Sequence, residues 1–282
     1  MVKKLILCDS GLGGLNVAEN IFNAPPGGEA ADILYFNAYP APHHGFNTMN
    51  AAGQEQLFRE ILESMQKFNP DQVMIACNTL SIVYDRLKKY YTPPFPVQGI
   101  VDAAVSGMQA ALEQDNEAEL LILGTKSTVE SNVYADALCQ KGIAKNRIKS
   151  MACPGLATLL ESGPDRAEAA EAVKKYAAEA VKLFDHPVKK LLLGLCCTHF
   201  AFAAPHWLKY FQAAFNCPVE LVNPNELMVR GFSAESFAYT SRIEFFDGAR
   251  EAMTGYFAPK APAIAAGLEN ALIDKKLFPF EE

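Results

Sequence analysis

Two cysteines stand where this sequence could most readily do chemistry. Met74-Ile75-Ala76-Cys77-Asn78-Thr79-Leu80 is an apolar run that ends in a thiol followed by short hydrogen-bonding side chains. Leu191-Leu192-Leu193-Gly194-Leu195-Cys196-Cys197-Thr198-His199 repeats the grammar. A thiol at the end of a strand and just before a helix lies where the helix N-terminus favours the thiolate, the reactive form of cysteine. Two such thiols predict one pocket with a thiol on either side. Lone cysteines in apolar runs are ordinarily core filler, and Cys8, Cys139, Cys153 and Cys217 read that way.

The elements that must position these thiols follow from the rest of the chain. With 282 residues, half of them apolar, core material suffices for one large or two ordinary domains. The charge balance is 25 Lys and Arg against 32 Asp and Glu, a net charge of -7 with no basic stripe, which argues against nucleic acid as a partner. No apolar run reaches membrane-spanning length, and Lys3-Lys4 is followed by too short an apolar stretch for a signal peptide, so no membrane association and a cytosolic location are expected. Seven cysteines, an odd number without any CxxC, argue against a disulfide framework or a zinc ribbon.

Lys4 to Cys8 reads as a strand, Asp9-Ser10-Gly11-Leu12-Gly13-Gly14 as a tight turn, and Leu15 to Phe22 as a helix. That turn lacks the Lys-Ser/Thr of a phosphate-binding loop and the spacing of a dinucleotide fingerprint. Ile33 to Phe36 is a second strand, and residues 37–47 form a loop with His43, His44 and Gly45 but no partner at metal spacing. A helix over 49–68, a strand from Gln72 to Ala76, a helix over 81–90 and a strand over 97–100 complete the first half. Strands at 120–123, 148–152 and 190–195 restart the pattern, with helices over 129–138, 166–184 and 202–215. The distance from Asp9 to Cys77 is about 68 residues and from Thr125 to Cys197 about 72, as two α/β units of one build would give. The expected division is 1–97 with 216–282 for the first domain and 98–215 for the second. The tail completes the first sheet, with a strand over 219–222, a helix over 245–257 and a surface wrap from 259 onward.

Taken together and in this order, Asp9-Ser10-Gly11-x-Gly13-Gly14, Ala76-Cys77-Asn78-Thr79, Ala152-Cys153-Pro154 and Cys197-Thr198-His199 resemble the glutamate racemases of the aspartate/glutamate racemase superfamily. Gly124-Thr125-x-x-Thr128-x-x-Ser131-x-x-Tyr134 and Leu159-Leu160-Glu161-Ser162-Gly163 are similar to further family segments. The resemblance implies an α/β fold of two similar doubly wound domains with mainly parallel sheets, related by a pseudo-twofold axis, with the amino acid in the cleft between them. Two departures stand out. Asn37 and His43-His44-Gly45 occupy the places of the family's Asp and Pro-Tyr-Gly. Leu195 and Cys196 also separate Gly194 from Cys197, so that matching from the glycine favours Cys196 and matching from Thr-His favours Cys197.

Inverting a Cα centre means removing a weakly acidic proton from one face and delivering one to the other, a task for two bases of matched type. The resemblance implies that Cys77 and Cys197 are those bases, with Asp9 assisting the first and His199 the second, and with Glu161 behind them. Ser10, Asn78, Thr79 and Thr198 would hold the amino and carboxylate groups, with Thr125, His44 and Gly45 as further substrate contacts. No pyridoxal-phosphate signature is visible, so neither a cofactor nor a metal is expected. The implied activity is cofactor-independent racemisation of glutamate, supplying D-glutamate for cell-wall precursors, in a possible homodimer. The departures keep open a two-thiol racemase or isomerase acting on aspartate or another small carboxylate, and a binding protein that has lost turnover.

Overall fold

The computed structural model describes residues 2–246 and 248–280. The chain opens with β1 (Lys3–Asp9), α1 (Leu15–Phe22), β2 (Glu29–Asn37), α2 (Ala51–Met65), β3 (Gln72–Ile75), α3 (Asn78–Leu87) and β4 (Val97–Gly99). It continues through α4 (Val101–Gln114), β5 (Ala118–Gly124), α5 (Lys126–Glu130), α6 (Val133–Gln140), β6 (Ile148–Ala152), α7 (Leu156–Glu161) and α8 (Ala167–Ala180). Next come β7 (Lys190–Cys196), α9 (Ala204–Phe215), β8 (Val219–Val222) and α10 (Pro224–Met228). The chain ends with β9 (Phe232–Ser241), α11 (Ala249–Phe257), α12 (Pro262–Glu269) and β10 (Leu272–Ile273). It divides into two compact units, one made of Met1–Ile100 with Val229–Glu282 and the other of Val101–Met228.

In the first unit six strands pair in the order β10-β9-β2-β1-β3-β4, and these pairings are parallel. A parallel sheet covered on both faces wants strands that are apolar throughout, and from Leu5 to Asp9 every residue of β1 is buried. Helix α2 shows the other pattern, burying Leu57, Phe58, Ile61, Leu62 and Met65 on one face. The Asn50 side chain caps it by accepting from the Gly53 N–H at 2.9 Å, and a left-handed Asn69 followed by Pro70 closes the turn beyond it.

In the second unit the order is β6-β5-β7-β8, again parallel. This repeats β2-β1-β3-β4 strand for strand, the internal repeat that the residue spacing predicts. Gly194 shows how closely α4 packs on β7: a Cβ there would lie 2.7 Å from the Met108 sulfur of α4, so a larger residue would have to push that side chain aside.

Several boundaries differ from the sequence reading. Residues 216–228 belong to the second unit, because β8 adds to β7 and the first unit resumes only at Val229. The sheet of the first unit is completed instead by β9, which pairs with β2 from Glu29 to Asn37. The helix expected over 129–138 is broken by a left-handed Asn132 into α5 and α6. The helix expected from 245 starts at Ala249, after a left-handed Gly248, with Asp247 outside the described residues. The segment from 259 is no mere surface wrap: β10 pairs with β9, and Leu277 and Phe278 are buried in the core against α2.

Candidate active site

In an open parallel sheet, ligands collect beyond the carboxyl ends of the strands, at the point where successive connections leave in opposite directions. In the first unit that point lies between β1 and β3. Asp9 ends β1, and Cys77 follows β3 and begins α3. The Ser10 hydroxyl lies 3.1 Å from the Cys77 sulfur, and the Leu80 N–H points to that sulfur at 3.5 Å from the first turn of α3. Both contacts, with the helix dipole behind them, favour negative charge on sulfur. Asn78 and Thr79, the next two residues, are buried in the first turn of the same helix.

Asp9 is buried, with its carbonyl accepting from the Ala38 N–H at 2.7 Å. The loop after it is buttressed by Tyr35, whose hydroxyl donates to the Gly11 carbonyl at 2.7 Å. Gly14 answers the question that the glycine-rich turn poses. A Cβ at that position would lie 2.9 Å from the Asp9 Cβ and 3.0 Å from both a carboxylate oxygen of Asp9 and the Tyr35 hydroxyl. Close packing against Asp9, rather than room for a phosphate, accounts for this glycine. Gly14→Ala is therefore expected to displace Asp9 or Tyr35, costing about 1–3 kcal/mol of stability and at least about tenfold in turnover. Chemical denaturation together with a steady-state activity assay measures both.

In the second unit the same point lies between β5 and β7. Cys197 follows β7 and precedes a 3-10 turn, Thr198–Ala203, whose residues are all buried. Its sulfur is 3.7 Å from Nδ1 of His199, and Nε2 of His199 is 2.6 Å from a carboxylate oxygen of Glu161 at the end of α7. Burial by itself would drive the imidazole toward its neutral form. The Glu161 charge and the bonds to Cys197 and Glu161 outweigh it, and the His199 pKa stands well above its ordinary value. The turn rests on an aromatic core: the Trp207 indole donates to the Phe200 carbonyl at 2.9 Å, and both side chains are buried.

The neighbouring thiols are of another kind. Cys196 is fully buried, and burial first, then the nearby Cys197, pushes its pKa far up despite a bond from Tyr134. Cys153 is raised by burial, then by Cys197 and Glu179, and Cys8 by burial, then by Asp9 and Cys77. Burial holds all three as protonated thiols at neutral pH.

The structure thus brings Ser10 to Cys77, and His199 with Glu161 to Cys197. Other predicted contacts sit differently. The Thr125 hydroxyl is engaged as the cap of α5, with the Thr128 N–H at 3.3 Å and the Ser127 and Thr128 hydroxyls at 3.1 and 3.0 Å. His44 is exposed, its ring 6.3 Å from that of Phe280, while Gly45 is buried beneath Tyr39. The Asn37 amide donates to the Tyr239 hydroxyl at 2.8 Å and accepts from the Tyr39 N–H at 3.0 Å. A residue outside the sequence prediction also contributes. Asn225, buried at the start of α10, donates to the Thr198 carbonyl at 3.0 Å and so pins the turn that carries Cys197 and His199. Among the described residues no three His, Cys, Asp or Glu side chains gather as a metal site, and no helix is long and apolar enough to cross a membrane.

Comparison with known proteins bears on the family and the fold. Residues 19–230 match a family described as Asp/Glu/Hydantoin racemase. A glutamate racemase from Bacillus cereus is 32% identical over 200 residues, covering 70% of this chain and 68% of that protein. One from Helicobacter pylori is 26% identical over 249 residues, covering 86% and 90%. In three dimensions the fold matches glutamate racemase from Campylobacter jejuni, with a TM-score of 0.67 and 22% identity over 90% of this chain and 97% of that one. It also matches the Escherichia coli glutamate racemase solved with L-glutamate and the activator UDP-MurNAc-ala, with a TM-score of 0.68 and 19% identity over 97% and 98%. The match to the family model spans most of the chain, and on that ground the chain belongs to the Asp/Glu/Hydantoin racemase family.

Proposed function

We propose that this protein racemises glutamate without a cofactor, with Cys77 and Cys197 as the two bases at Cα. The observation that carries this reading is the repeated sheet order, which delivers a thiol after the equivalent strand in each unit, each with its own polar partner. One thiolate removes the α-proton, the other thiol delivers another, and the roles exchange for the reverse reaction. The Glu161–His199 pair serves as the proton reservoir for Cys197, and Asp9 has that role for Cys77. Ser10, Asn78, Thr79 and Thr198 hold the amino and carboxylate groups. A carbanion-like transition state without an electron sink needs such fixed donors in a site that excludes water.

The substrate's side chain is a separate matter. Asn37 is committed to Tyr239 and Tyr39 and His44 is exposed, which sets this loop apart from the Asp and Pro-Tyr-Gly pattern of the glutamate racemases and makes aspartate the second substrate to test. Incubation in deuterium oxide with L-glutamate, and separately with L-aspartate, is expected to place deuterium at Cα of glutamate as both enantiomers accumulate. Label in aspartate alone would transfer the activity to that substrate, and label in neither would sink the racemase reading.

A further inference from the structure

Arg242 lies one residue beyond the carboxyl end of β9, where Ser241 is in register with Asn37 of β2. Its guanidinium spans two segments distant in sequence. One nitrogen, Nη1, donates to the Pro40 carbonyl at 2.7 Å, and Nη2 donates to the Phe280 carbonyl at 3.0 Å. The guanidinium carbon also lies 5.4 Å from the centre of the Phe280 ring and 6.0 Å from that of Phe278. A planar cation with forked donors suits this double task, because it can bond two carbonyls in its plane while aromatic rings approach its face.

Both segments are held from the far side as well. Phe278 is buried and stacks on Phe36 of β2, ring centres 6.0 Å apart. Residues 38–45 carry Tyr39, which packs edge-on against Phe246, and His44, whose ring meets that of Phe280. The loop is thus clasped between β9 and the C-terminal segment, and Arg242 is the side chain bonded to both.

We propose that Arg242 and Phe280 form a latch that positions the 38–45 loop, which leaves the carboxyl edge of the sheet at Ala38, whose N–H donates to the Asp9 carbonyl at 2.7 Å, and that this latch sets the affinity for the substrate. Arg242 is a positioning residue in this scheme; it acts through the loop. The affinity claim rests on the proposed racemase function, whereas the latch itself does not.

The test measures hydrogen exchange across residues 38–48 in the free protein, and KM and kcat for glutamate, in the wild type, Arg242→Lys, Arg242→Ala and Phe280→Ala. Expected for Arg242→Ala and Phe280→Ala is faster exchange in this segment by about tenfold or more, with KM raised about tenfold and kcat within about threefold. Arg242→Lys, which keeps the charge but loses the fork, should fall between. Phe280→Ala keeps the test open should Arg242→Ala fail to fold. Unchanged exchange in both alanine variants overturns the latch, and faster exchange with unchanged KM overturns its role in affinity. A wild-type protein inert toward glutamate would sink the proposed function while leaving the exchange result to decide the latch.

Discussion

Cys77→Ala and Cys197→Ala are each expected to lower glutamate racemisation by roughly 10³-fold, within the 10²–10⁴-fold range of positioned acid–base catalysis. In the proposed mechanism each direction of the reaction begins on one thiolate and ends on the other thiol, so loss of either group would block both directions. Cys196→Ala is expected to stay within about threefold of wild type and to cost about 1 kcal/mol of stability from the small void it leaves. The contrast arises from environment. Cys196 is buried and held as a thiol, whereas Cys197 sits beside the His199 imidazole. Circular dichroism of the substrate follows the loss of optical activity directly. An active Cys197→Ala beside a dead Cys196→Ala would show that the second base is the other cysteine.

The second large effect concerns His199 and Glu161. His199→Gln is expected to reduce kcat by about 10²-fold, the low end for a lost proton-transfer group, and Glu161→Gln by about tenfold. The pH dependence is the sharper readout. The folded-state pKa of His199 is raised, so the stabilisation from its charged form is complete below the unfolded value of about 6.5 and is lost as pH rises through the folded value. Glu161→Gln removes the charge that opposes desolvation, so the imidazole should give up its proton at lower pH. The alkaline limb of kcat/KM should then move to lower pH, and the His199 resonance should titrate lower by NMR. A His199 titration unmoved by Glu161→Gln would remove Glu161 from the relay.

Much of this arrangement was legible in the sequence because parallel strands advertise themselves. Leu5–Cys8 and Leu191–Cys196 are unbroken apolar runs, and a polar or reactive group directly after such a run lies at the carboxyl edge. That logic placed Asp9, Cys77 and Cys197. It missed β9, whose sequence Phe-Ser-Ala-Glu-Ser-Phe-Ala-Tyr-Thr-Ser is fully buried only over its last three residues and shows neither a continuous run nor a clean alternation. The strand exists because β2 offers it a full ladder of partners, a cause that no local window contains. Asn225 and Arg242 were hidden for a related reason. Each acts on a backbone carbonyl far along the chain, 27 residues away for Thr198 and 202 for Pro40, and a carbonyl carries no side-chain signature. Thr125 has a structural use that its sequence also signals, since a hydroxyl before a helix serves as its cap.

The insertion of β9 beside β2 also bears on biosynthesis. The second unit is one continuous stretch of chain, and its sheet can close as soon as Val222 has emerged from the ribosome. The first unit cannot close then, since the partner of Asn37 and its neighbours lies about 200 residues downstream. At elongation rates of about 5–20 residues per second, β2 waits roughly 10–40 s with one hydrogen-bonding edge unpaired. Only in the last part of that interval, once Val222 has emerged, does the nascent protein carry a finished second sheet and an unfinished first one. The half-made sheet, with its open edge, is the form on which a chaperone would act and from which aggregation would start.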